Sequence, residues 1–202
     1  MIIFNIEGEY LGSDEATTDN IKVINQELWD KNKKLRSDRT ESIDHSLGKN
    51  LSSDHSVAGI SMKASLSIYD HYNPTDLALK EHTDKISWGM TFHAEMKKGE
   101  TSEWINIRMD GNNREKVSDH FNEIINLFSH EKRHYEDYKE LGIEDFYEIY
   151  TKFPEKMEQR AVTSQMNHPS YKDTRKGFQE AMRNYGEKFG MVFPIEPKTI
   201  IQ

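Results

Sequence analysis

Cysteine is absent from the 202 residues. No disulfide can form and no thiolate can hold a metal, so a metal centre here must be built from His, Asp and Glu, while the redox compartment stays open. Apolar runs of membrane-spanning length are lacking as well, and Met1-Ile2-Ile3-Phe4 leads into Glu7 instead of the apolar centre of a signal peptide. No membrane partner is expected, and the localisation stays open between export as part of a larger carrier and synthesis in the cytoplasm. An excess of basic residues is missing too. The net charge is −8, with acids spread along the chain, which argues against a nucleic-acid surface. Apolar residues are modest at 35% against 31% charged, which suits a soluble chain with one sizeable core.

What the chain does contain is His130-Glu131-Lys132-Arg133-His134, an HExxH motif. Histidines four apart in a helix project from one face, so both imidazoles reach one metal ion and Glu131 lies beside the open coordination position. That arrangement suits zinc. The spacing of Phe121, Ile124, Ile125 and Phe128 predicts a helix from Asn113 to Leu141, with Asn112 and Glu115 resembling a capping box and Gly142 as its stop. His130 and His134 fall roughly opposite that apolar stripe, near Leu127, Tyr138 and Leu141, so the helix is expected to be packed on two sides. Arg133 should share the polar side with Ser129 and Glu136. Lys132 should lie near the apolar stripe and snorkel along its methylenes.

Upstream, Ile2, Phe4 and Ile6 alternate with polar residues and Ile21 to Ile24 offers a second strand, which predicts a small β-ribbon turned at Gly8 and Gly12. Leu28, Trp29 and Leu35 predict a short amphipathic helix over Asn25 to Arg36. Ser37 to Ser56 reads as loop; its Asp44-His45-Ser46 and Asp54-His55-Ser56 triplets are expected to be solvated turns. Val57 to Tyr72 is ambiguous between helix and strand. Ile86, Trp88, Met90, Phe92, Ala94 and Met96 at every second position predict a strand with one buried face, and Ile105, Ile107 and Met109 predict its hairpin partner. Such a strand beside the motif helix could take an extended peptide by main-chain hydrogen bonds. Three regions result: 1–36, a ribbon and short helix; 37–84, polar and irregular; 85–202, carrying the site. The fold class is α+β.

Beyond Gly142 the pattern is helical over Ile143 to Tyr150, Glu155 to Asn167 and Tyr171 to Phe189. A third metal ligand belongs here. A further His on the motif helix itself is excluded, because Glu140 and Asp137 occupy the positions that metzincins give to His and Gly. Glu158 is the first candidate, since Ala161 one turn on allows a second helix to approach closely; Glu155 is the alternative. Tyr147, Tyr150, Phe153, Phe178, Tyr185 and Phe189 are expected in the core.

Ser129 to Tyr138, then Glu158-Gln159-Arg160-Ala161, Gln165-Met166-Asn167-His168-Pro169-Ser170 and Lys172-Asp173-Thr174, together with the Tyr10-Leu11-Gly12 lead-in, resemble the metallopeptidase-type tails attached to RHS-repeat proteins. Such tails resemble gluzincins. The resemblance implies a zincin-like core, zinc held by His130, His134 and Glu158, and Glu131 as the base that takes a proton from a zinc-acidified water and passes it to the leaving amine. It also implies a protein or peptide substrate and an immunity protein as partner. His168 and Tyr171, just past the ligand helix, are the candidate donors to the oxyanion. Asp137, Asp145 and Glu148 are candidates to orient a ligand histidine through its second nitrogen. The charged Lys132-Arg133 pair departs from the peptidase pattern and motivates an alternative, a zinc-binding interaction module without turnover.

Overall fold

Alternating and helical periodicity each produce their element here, and the ends of the elements are set by caps. The structure, a computed structural model, describes residues 2–13, 19–35, 41–44, 46–51, 60–81, 89–107 and 119–193. It is an α+β fold.

Strands β1 (Ile2–Asn5), β2 (Tyr10–Ser13) and β3 (Ile21–Ile24) are joined by α1 (Gln26–Asn32), β4 (Lys34–Leu35), β5 (Glu41–Ser42) and β6 (Lys49–Asn50). The first sheet has the order β2-β1-β3-β6, with β1 antiparallel to β2 and parallel to β3, so the expected ribbon is a four-stranded mixed sheet. The predicted helix over Asn25 to Arg36 is shorter. Asn25 caps it by accepting from Glu27 N, and at Lys33 the chain turns extended (ψ 144). Trp29 is its buried residue at 1% exposure, whereas Leu28 and Leu35 stay exposed, because Leu35 has already entered β4. Among the loop triplets, Ser46 N donates to Asp44 Oδ1 at 2.8 Å, as a solvated turn requires. His45 and the Asp54-His55-Ser56 triplet lie outside the described residues.

The ambiguous stretch is in part a helix, α2 (Met62–Asp70). Ser61 begins it by accepting from Ala64 N at 3.1 Å, and Ala64, Ser65, Ile68 and Tyr69 form its buried face. Gly8 is pressed against this helix. At φ +89°, a Cβ there would lie 2.4 Å from Ala64 O, so only glycine fits.

The second sheet joins β7 (Ala78–Glu81), β8 (Met90–Lys97) and β9 (Glu100–Ile107) in the order β7-β9-β8. β8 and β9 pair from Met90↔Ile107 to Lys97↔Glu100 around a tight turn at Lys98 (φ 53) and Gly99 (φ 83), the positive angles that match strand twist. Met90, Phe92 and Ala94 face the core as expected, while Met96 is 50% exposed near the hairpin tip. Ile86, Trp88 and Met109 lie outside the described residues. Among the described residues β8 is an edge strand.

The motif helix, α3, runs Phe121–Leu141. It does not include His120, which is extended (φ −116, ψ 117) and bridged to Asn20, while Phe121 N donates to Asp19 O at 2.9 Å. The expected start at Asn113 and its capping box lie outside the described residues. Ile124 and Phe128, both 0% exposed, each contribute about 2 kcal/mol by burial. Gly142 (φ 80) closes α3 and opens α4 (Ile143–Lys152). After Phe153 follow α5 (Pro154–Asn167), a 3-10 turn (Pro169–Asp173) and α6 (Lys176–Lys188). No described helix is long and apolar enough to cross a membrane.

One buried cluster joins Phe4, Ile21 and Val23 of the first sheet, Ile68 of α2, Phe92 and Ile105 of the second sheet, and Ile124, Phe128, Phe146 and Met157 of the helices. It crosses the composition boundaries at 36 and 84. Both sheets and the helices α3 to α5 therefore brace the same interior.

Candidate metal centre

α3 is covered on both flanks, so its polar middle is buried along with its apolar stripe. His130, Glu131 and His134 are 8%, 6% and 5% exposed. The i, i+4 spacing sets the two rings on one face, with His134 Nε2 3.2 Å from His130 Nε2. α5 lies across that face. Ala161, 0% exposed, provides a site of close approach between the helices, and Asp137, also 0% exposed, bonds both Arg133 of its own helix and Arg160 Nη2 of α5, the latter at 2.8 Å. That clamp fixes α5 in the register that presents Glu158, which is 4% exposed.

Glu158 Oε2 is 3.3 Å from His130 Nε2, and its Oε1 is 3.5 Å from His134 Nε2. Donors at about 2.0–2.1 Å on the corners of a tetrahedron lie about 3.4 Å apart. The His–His separation matches that edge and Glu158 offers one oxygen to each ring, so the three side chains suit zinc in donor type and converge to within 4.8 Å of one another, and they are the one buried His/Asp/Glu group of this kind among the described residues. Glu155, the alternative ligand, is exposed one turn away.

Burial works against the charge on Glu158, but the hydrogen bond from His130, the charges of both histidines and the phenol of Tyr150 outweigh it and hold the carboxyl at about 2. Burial, with the neighbouring His130, lowers His134 to about 3, so that ring is a neutral donor. Glu131 differs from Glu158. Burial raises its carboxyl above the usual range, against the opposing pull of His130 and of Phe92 N–H, which donates to Glu131 Oε2 at 2.7 Å. One carboxylate is thus favoured in its ionised form and the other in its protonated form.

The cavity at these residues encloses about 200 Å³ and is walled by β8 (Met90 to His93), by Phe146, Tyr147 and Tyr150 of α4, and by Tyr185 of α6. Tyr150 donates to Glu158 Oε1 at 2.5 Å and Tyr185 to Oε2 at 2.9 Å. The sequence pattern predicts these phenols in the core. Their bulk is partly buried, and their hydroxyls meet at the carboxylate; the only sequence signal is that a buried Tyr needs a polar partner.

His168 and Tyr171 are not in the cavity lining. His168 Nδ1 lies 2.8 Å from Ser170 Oγ at the head of the 3-10 turn, and Tyr171 donates to Gln179 O at 3.3 Å. Ten residues of helical rise carry His168 about 15 Å along the axis from Glu158, too far for the metal point. The phenols that do line the site are Tyr150 and Tyr185. The orienting partner of His130 also differs from expectation. Its Nδ1 meets Gln165 Oε1 at 3.1 Å, while Asp145 and Glu148 are exposed and Asp137 is held by the two arginines.

Lys132 does not snorkel. It is exposed and pairs with Glu136 at 3.9 Å, because α3 leaves a solvent-facing strip between its two packed flanks. Ser129 is buried, donating to Asn126 O at 2.7 Å, and Arg133 spends its charge on Asp137. Neither Lys132 nor Arg133 lines the cavity. The chain matches no family, no curated protein and no solved structure, so what the site can do rests on its own geometry.

Proposed function

We propose that the chain is a zinc-dependent peptidase with a zincin-like core. The observation that carries this reading is the buried trio of His130, His134 and Glu158, whose donor atoms converge within 4.8 Å of one another, with Glu131 on the same cavity. A zinc ion bound there supplies a Lewis acid and an acidified water. In this reading Glu131, which lines the same cavity, would take a proton from that water and return it to the leaving amine. Tyr150 and Tyr185 line the same cavity, and their O–H groups, which now donate to Glu158, would have to turn from that carboxylate to meet an oxyanion. Charged Lys132 and Arg133, which motivated the reading of an inactive module, stay outside the cavity.

An extended peptide as substrate is supported by the edge strand β8. Two of its outward N–H groups are met by side chains that stand in for a neighbouring strand. Phe92 N–H donates to Glu131, and Tyr147 accepts from Ala94 N at 3.2 Å while donating to Ala94 O at 2.6 Å. A substrate strand must displace that phenol, at about 1–2 kcal/mol for the pair of bonds. Tyr147→Phe is therefore expected to lower KM for an extended peptide by about fivefold or more with kcat little changed; a raised KM would show that Tyr147 helps to hold substrate. What supports an effector role with an immunity partner is the sequence resemblance to RHS-associated tails.

The deciding experiment is elemental analysis of protein purified without chelator, paired with hydrolysis of an unfolded protein. The expected result is one zinc per chain and cleavage that a chelator stops and zinc restores. Iron in its place would redirect the chemistry, since iron also takes two His and one carboxylate. No metal after zinc is supplied would end the peptidase reading.

A further inference from the structure

The side of the metal ligands facing away from the cavity carries its own information. With both Nε2 atoms turned to the metal point, each ring has Nδ1 left to satisfy. For His130 that partner is Gln165 Oε1 at 3.1 Å. Gln165 is 0% exposed, and its backbone oxygen accepts from Asn126 Nδ2 at 2.8 Å while Asn126 Nδ2 also reaches Ser170 Oγ at 3.2 Å, which ties this turn of the helix to α3. His134 Nδ1 is buried without a hydrogen-bond partner among the described residues. Among the described residues no carboxylate therefore meets the Nδ1 of either histidine.

We infer that Gln165 is a positioning residue for zinc, resting on the metal-site reading above: its amide oxygen fixes the Nδ1–H tautomer of His130, and its neutrality leaves the ion more weakly held and more exchangeable than a carboxylate would. A carbonyl acceptor at Nδ1 obliges that nitrogen to carry the proton, which frees the Nε2 lone pair for the metal. A carboxylate at the same place would do this and also push electron density into the ring, raising ligand basicity. The charge count explains the amide. Glu131 and Glu158 already set two carboxyl groups beside the metal point in a buried site, and a carboxylate at position 165 would add a further buried negative charge.

The test is zinc affinity of the full chain, measured at one pH by competition with a chromophoric chelator, for two substitutions of nearly the same volume. Gln165→Met removes the acceptor and is expected to weaken zinc about 10- to 100-fold; Gln165→Glu keeps the acceptor, adds charge, and is expected to bind zinc about tenfold more tightly than the wild type. A merely structural role for this buried position predicts losses in both. The zinc-loaded wild type should also show a slowly exchanging His130 Nδ1–H proton resonance that Gln165→Met loses and Gln165→Glu keeps. Equal affinity of the wild type and Gln165→Met overturns the tautomer role, and weaker binding by Gln165→Glu overturns the charge argument. If the Met variant fails to fold, the Glu variant and the resonance decide. A wild type that takes up no zinc overturns the metal reading and this inference together, whereas a zinc-binding wild type with an indifferent Gln165 overturns this one alone.

Discussion

Glu131→Gln is expected to keep its zinc and to lose peptide hydrolysis by about a hundredfold or more, the range of a missing general base. The two halves of that result are separable because Glu131 is not one of the three converging donors. A glutamine still offers an oxygen to Phe92 N–H, which lies 2.7 Å from the present carboxylate, so the contact between α3 and the edge strand survives. What it cannot do is accept a proton. Burial raises the Glu131 carboxyl and so strengthens its hold on a proton, and an amide in the same surroundings has no such capacity. Metal content by elemental analysis, with rates on an unfolded protein substrate, reads both halves. Retained turnover with zinc in place would remove Glu131 from the chemistry, and zinc lost in this variant would show that Glu131 is a ligand.

Glu158→Ala carries the other large effect. Removing the carboxylate takes one of three donors from the metal point and leaves Tyr150 and Tyr185 without the acceptor that each now uses. A buried hydroxyl stripped of its partner costs about 1–3 kcal/mol, so the variant should melt several degrees lower even without metal. Zinc should fall from one per chain to near none, and addition of zinc should no longer raise the melting temperature. Glu155→Ala is the control, one turn away and exposed, and should change neither quantity. A Glu158→Ala protein that still holds stoichiometric zinc would show that the ligand set is wrong.

Local periodicity carried far in this chain where the partner of an element was predictable. Alternation at Met90, Phe92 and Ala94 marks the buried face of β8, because a strand that has a core on one side repeats every second residue whatever covers it. Gly142 ends α3 for an equally local reason, a positive φ that glycine adopts freely. The same reasoning failed at the start of α3, where His120 pairs with Asn20, a residue far away in sequence, and stays extended. It failed for Leu35, where apolar spacing continued past the point at which pairing with β5 had ended the helix. At Lys132 it failed because a helix packed on two flanks keeps a solvent strip that a single apolar stripe does not reveal.

For the site the division is sharp. His130, Glu131 and His134 lie within one helical turn and a half, so their convergence follows from 3.6-residue geometry alone. The absence of cysteine likewise limits the ligands to His and carboxylates from sequence. Glu158 was nameable as a candidate because Ala161 signals close helix approach, but Glu155 stayed open until the Asp137 clamp to Arg160 set the register of α5. Gln165, Tyr147, Tyr150 and Tyr185 carry no local mark. An amide behind a histidine, a phenol on a strand edge and two phenols on one carboxylate are meetings of side chains from separate elements, and only the packing of α4, α5 and α6 around α3 and β8 decides which of many similar residues are brought within hydrogen-bond reach.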